Sequence, residues 1–104
     1  MMQKEEFKKW LSDRRTQRSV TDCISRCLNI EKSMSINLDD EYKKDKGAAL
    51  LSVLSYGKND ADKGISYPAM FSFKAGINYV QRFADLKSSA KQYFLFCEWL
   101  ANIP

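Results

Sequence analysis

GINYVQRFADLKSSAKQYFLFCEWL, residues 76–100, is the longest uninterrupted helical pattern in the chain, and its reading decides the fold. Tyr79, Phe83, Leu86, Ala90, Tyr93, Cys97 and Leu100 recur at alternating spacings of four and three, which places them on one face of a helix. A helix this long with a continuous apolar face must be covered by others, so the remaining segments are read as what packs against it. Arg82, Lys87 and Lys91 lie off that face and offer a contact surface for an anionic partner.

The best candidate for a packing partner begins after residue 18. Val20, Cys23, Cys27, Ile30 and Met34 again alternate by three and four and, with Ile24 beside Cys23, form a second buried stripe. Ser19 is read as the N-cap, with Asp22 completing a weaker form of the capping box. Cys23 and Cys27 fall inside the stripe and are read as small core residues; a zinc site would need more ligands than Cys97 can add. Residues 3–11 predict a short helix with Phe7, Trp10 and Leu11 on its apolar edge and Lys4, Lys8 and Lys9 on the other, ending in a turn over residues 12–16.

Residues 33–37 read as a turn, after which Leu38 and Tyr42 flank the mixed-charge run DDEYKKDK. Asp39 and Asp40 near its start and Lys43, Lys44 and Lys46 near its end match the helix macrodipole, so the run is a solvated short helix. Asp39, Asp40, Glu41 and Asp45 point different ways around such a helix, which disfavours a cation site. GAALLSVLSYG, residues 47–57, is apolar nearly throughout and reads as a short core helix stopped by Gly57. Residues 58–75 form a long irregular loop, in which Tyr67, Met70, Phe71 and Phe73 are expected to pin the chain onto the helices. Alternation of Ile65, Tyr67, Ala69, Phe71 and Phe73 would suit a strand, but no second strand is available to pair with it.

The expected fold is therefore all-α, residues 1–104 forming a single helical domain of four to five helices with one packed irregular loop at 58–75. Hydrophobic residues make up 44% and charged residues 29%, an ordinary balance for a globular domain, and the net charge of +4 tilts toward anionic partners without demanding them. The odd count of three cysteines, an opening MMQKEEFKKW too charged for an export signal, and the lack of any apolar run near the roughly 20 residues a membrane span needs predict a cytoplasmic protein with no membrane partner.

With the chain read this far, its order of segments resembles a known family. A charged helix ending in Trp10 and Leu11, an amphipathic second helix, LDDEY from Leu38, LLSVLSY from Leu50, Phe73, and YVQRFADLKSSAKQYFLFC from Tyr79 carry the likeness, with Leu86, Ser89, Ala90, Lys91 and Tyr93 at matching spacing. The pattern resembles the N-terminal helical domain that precedes some HNH and other restriction-type endonucleases, itself similar to the SAM-like core-binding domain of tyrosine recombinases, the phage integrases. The resemblance implies a SAM-like bundle that contacts DNA beside a catalytic domain. The sequence ends at Pro104 without a nuclease or recombinase half, so no enzyme activity is carried over.

Two functions follow as expectations. The first is a small non-catalytic DNA-binding domain that grips phosphates through Lys8, Lys9, Arg14, Arg15, Arg18, Arg26, Lys87 and Lys91; DRRTQR alone places three arginines within five positions. The second is a protein-interaction or inhibitory accessory protein of a phage or mobile element. Its motive is the chain's end, where Leu95, Phe96 and Trp99 point away from the buried stripe, forming an interface for a partner or a homodimer unless the loop at 58–75 covers them.

Catalysis finds no footing. With no histidine, the usual general base and the commonest zinc ligand alongside cysteine are both missing, and an HNH centre or a Ser-His pair is excluded. Asp85 and Glu98 are thirteen residues apart, Ser88 and Ser89 have no base beside them, and Tyr79 and Tyr93 belong to the apolar stripe. No catalytic residue, metal, cofactor or small-molecule substrate is expected.

Overall fold

Capping chemistry sets where each helix begins. In the computed structural model, which describes residues 3–73 and 76–103, the described residues form six helices: α1 (Lys4–Ser12), α2 (Gln17–Met34), α3 (Leu38–Asp45), α4 (Ala48–Val53), α5 (Lys58–Asp62) and α6 (Tyr79–Ala101). The fold is all-α, and among the described residues no strand forms from the alternating run near Phe71. Lys74 and Ala75, the end of the expected loop, and the terminal Met1, Met2 and Pro104 lie outside the described residues.

α2 starts earlier than the Ser19 cap predicts. Thr16 sits in extended backbone and its hydroxyl accepts the Ser19 N–H at 3.3 Å, so Ser19 lies inside the first turn rather than ahead of it. The helix closes at Ser35 in left-handed conformation, and Glu31 reaches past the turn to accept the Leu38 N–H at 2.9 Å. Asn37 caps α3 by accepting the Asp39 N–H at 2.8 Å. Asp45 accepts the Gly47 and Ala49 N–H groups at 3.0 and 2.9 Å, so one acid of the mixed-charge run caps the next helix. Asn78 caps α6 through the Gln81 N–H at 3.1 Å, so the helix starts at Tyr79, three residues after the sequence pattern begins.

The helix beyond the expected four or five is α5, a short element inside the stretch read as irregular. Asp60 accepts the Gly57 N–H at 2.9 Å and fixes its first turn. Beyond it, Phe71 is buried and Tyr67 and Phe73 are half-buried against the core, as expected of pinning residues. Met70 differs: it is 48% exposed and pins nothing.

α6 is the common packing partner of α1, α2, α3 and α4. Its N-terminal half holds Phe83 among Tyr56, Tyr67, Phe71 and Phe73, with ring centroids 5.2 to 5.9 Å away. Its C-terminal half packs Tyr93 on Phe7, and Phe96 on both Phe7 and Trp10, of α1. Where α2 crosses it, the Cys23 and Cys27 thiols donate to the Ser89 carbonyl at 3.9 and 3.4 Å, and all of these residues are buried. Phe83, Leu86, Ala90 and Tyr93 of the expected stripe are buried, whereas Tyr79 is exposed and Cys97 and Leu100 are half-buried at the helix's edges.

Candidate interaction surface

Three of the eight expected phosphate contacts, Lys9, Arg14 and Lys91, line two different grooves. Lys9 and Arg14 line a groove between α1 and the end of α6, together with Glu6, Trp10, Asp13, Trp99 and Leu100. Lys91 lines a different groove, between α3, α4 and α6. Arg26, on the flank of α2 toward α6, approaches the Asp85 carboxylate at 4.0 Å and is half-buried, so its charge is partly neutralised within the fold. Arg15 and Arg26 both lie close enough to Cys23 to favour its thiolate. Arg14 is also committed: its guanidinium stacks 4.3 Å from the Trp10 ring and donates to the Trp10 carbonyl at 3.0 Å. Lys8, Arg15 and Arg18 are exposed, and Lys87 is half-buried.

The apolar triplet also divides. Leu95 and Trp99 are 54% and 46% exposed, one helical turn apart. Phe96 is fully buried, which corrects the expectation that it belongs to the exposed surface. Its cover is not the loop at 58–75 but α1, whose Phe7 and Trp10 rings lie 5.4 and 5.8 Å from it. Trp99 stacks on the outer side of Phe96 at 6.2 Å, so one aromatic column runs from the core to the surface.

The two grooves flanking this ridge differ in charge. The one beside Trp99, about 390 Å³, is edged by Glu6 and Asp13 against Lys9 and Arg14, a balanced rim. The one beside Leu95, about 300 Å³, has Tyr42, Leu51, Phe94 and Leu95 for walls and Lys46, Lys91 and Glu98 at its edge. The Tyr42 ring stacks on Phe94 at 6.2 Å, and its hydroxyl donates to Glu98, which also faces Lys46 at 4.0 Å. That hydrogen bond, with a lesser cost of burial, lifts the Tyr42 phenol to about 12, and the same bond with the Lys46 charge holds the Glu98 carboxyl below its ordinary value. Tyr42, Lys46, Leu51 and Phe94 were not singled out as site residues from the sequence. Tyr42 lies in the last turn of α3 and Lys46 is its C-cap, but only the packing of α3 against α6 shows which charges they meet.

The buried thiols of Cys23 and Cys27 are displaced from their ordinary values in opposite directions. The Cys27 thiol beside it holds Cys23 below its ordinary value, while the same proximity and burial push Cys27 up. The pair lies beneath α6, away from any groove described above, and its place inside the α2 stripe is that of core packing. Among the described residues no three His, Cys, Asp or Glu side chains gather as a metal site, and no helix is long and apolar enough to cross a membrane. No family model matches the chain, and neither a curated protein nor a solved structure matches it.

Proposed function

We propose that the chain is a non-catalytic protein-interaction module, an accessory protein that acts by occupying a partner's surface with the last two turns of α6. The observation that carries this reading is the pair Leu95 and Trp99, which leave large apolar side chains in solvent beside a fully covered Phe96. The separation of Lys9 and Arg14 from Lys91 supports it over a continuous basic face. A cytoplasmic setting is part of the proposal, in keeping with the free thiols of Cys23, Cys27 and Cys97. The test is a photo-cross-linking side chain placed at Leu95, with a control at Arg18, in cells of the source. A discrete protein adduct from the Leu95 site alone is expected; equal labelling from both sites, or none from Leu95, removes the reading.

A second reading keeps the nucleic-acid expectation at a smaller site, in line with the integrase-like order of segments. It rests on Arg14, Arg15 and Arg18 clustered at the α1–α2 corner, all exposed. A footprint of three to four phosphates would make affinity for duplex DNA fall by about tenfold or more between 50 and 200 mM salt. Gel-shift titrations at those two concentrations decide it, and either no binding at low salt or salt-independent binding rejects it.

A further inference from the structure

We infer that the groove between α3, α4 and α6 receives an acidic amphipathic helix of a partner protein, with one bulky apolar side chain seated against Leu51, Phe94 and Leu95 and its carboxylates facing Lys46 and Lys91. This rests on the interaction-module reading and narrows it to one class of partner.

The groove's volume of about 300 Å³ suits a single leucine, methionine or aromatic side chain, and its walls are firm. Phe94 is itself buried, held between the Tyr42 ring and the backbone of Gly47, so the wall is present before a partner arrives. Leu95 at the lip and Trp99 one turn further along α6 offer a second anchor point. Apolar side chains spaced i and i+4 on a partner helix match that interval.

Charge decides the partner's sign. The carboxylates nearest the groove already serve the fold. Glu98 takes the Tyr42 hydroxyl and Lys46, Asp39 takes the Tyr93 hydroxyl, and Asp45 caps α4. Lys91 forms no ion pair or hydrogen bond among the described residues, and Lys87 stands one turn before it on the same helix. The rim of Lys46, Lys91 and Glu98 is therefore net cationic around an apolar floor, unlike the balanced rim beside Trp99. An acidic helix gains at Lys46 and Lys91 and is opposed only by Glu98, which Lys46 already faces, whereas a basic one meets Lys91 unscreened.

The test uses the full chain and two labelled helical peptides of roughly five turns with the same leucine face, one flanked by glutamates and the other by lysines. Fluorescence anisotropy at low salt is expected to show the glutamate peptide binding about tenfold or more tighter. Lys91→Glu should reverse that preference, and Leu95→Gln should weaken the glutamate peptide, with circular dichroism confirming that both variants fold. Equal affinity for the two peptides, or no binding of the glutamate peptide, overturns the acidic class. If the cross-linker at Leu95 still captures a discrete partner in that case, the interaction reading stands and only its chemistry is wrong. If both experiments are blank, both inferences fall.

Discussion

Replacing Phe96 by alanine is expected to cost about 3–5 kcal/mol of folding stability. The side chain is fully buried, with Phe7, Trp10, Tyr93 and Trp99 all within 6.2 Å between ring centroids. Its removal empties the aromatic contact through which α1 docks on α6 and leaves α1 held by its packing on α2. α1 is a short helix whose buried side chains are Phe7, Trp10 and Leu11, of which Phe7 and Trp10 both pack on Phe96. A helix of nine residues has little stability of its own, so losing its dock should also loosen it. Urea unfolding followed by circular dichroism measures the loss. The neighbouring Leu95→Ala, at an exposed position, is expected to stay within about 0.5 kcal/mol of the parent. Similar losses at both sites would mean that α1 does not cover Phe96.

Gly47→Ala is expected to destabilise by about 2–5 kcal/mol, the sum of a left-handed backbone penalty and an overpacked contact. Gly47 has φ +82, and a Cβ added there would meet Phe94 Cε2 at 2.2 Å, with two more ring atoms at 2.5 and 2.6 Å. Relief by swinging the ring is blocked, because Phe94 is buried and stacked on Tyr42. Gly64→Ala provides the comparison: its φ is +73 but nothing lies within 4 Å of the added methyl, so it bears the backbone cost alone, about 1–2 kcal/mol. Thermal melts of the two variants separate the terms, and equal losses would rule out the close approach of Gly47 to Phe94. Since Phe94 also walls the Leu95 groove, Gly47→Ala should weaken whatever binds there even where the fold survives.

Helical periodicity carried most of the architecture. The stripe from Val20 to Ile30 and that from Phe83 to Tyr93 are the buried faces of α2 and α6, because a helix packed on one side repeats its apolar residues every three or four positions. Phe96 escaped because periodicity marks the centre of a buried arc and not its width. α6 is surrounded by α1, α2, α3 and α4, so its arc widens to take in Ser89 and Phe96. A hint existed in Phe7, Trp10 and Leu11, an apolar edge in need of an aromatic partner. The start of α2 was misplaced because Thr16 and Ser19 are both good caps, and only the backbone at Thr16 distinguishes them. α5 was missed because a five-residue helix held by Asp60 leaves no repeating pattern.

The surface was less legible than the core. Basic residues on α1, on α2 and on α6 can be counted in a sequence, but whether they share a face depends on how three helices are turned about their axes. Here Arg26 turns toward Asp85, Arg14 folds over Trp10, and Lys91 faces α3. The same holds for Glu98, whose partners Tyr42 and Lys46 lie more than fifty positions earlier in the chain.

The aromatic column at the end of α6 makes the chain its own spectroscopic probe. Its two tryptophans both pack on Phe96 but differ in exposure: Trp10, on α1, is buried, and Trp99 stands 46% exposed. Unfolding moves Trp10 into water and shifts its emission to longer wavelength. Docking at the end of α6 removes Trp99 from water and shifts its emission the other way. Loss of the fold and capture of a partner thus leave signals of opposite sign in the same unlabelled molecule, and Trp10→Phe or Trp99→Phe assigns each one.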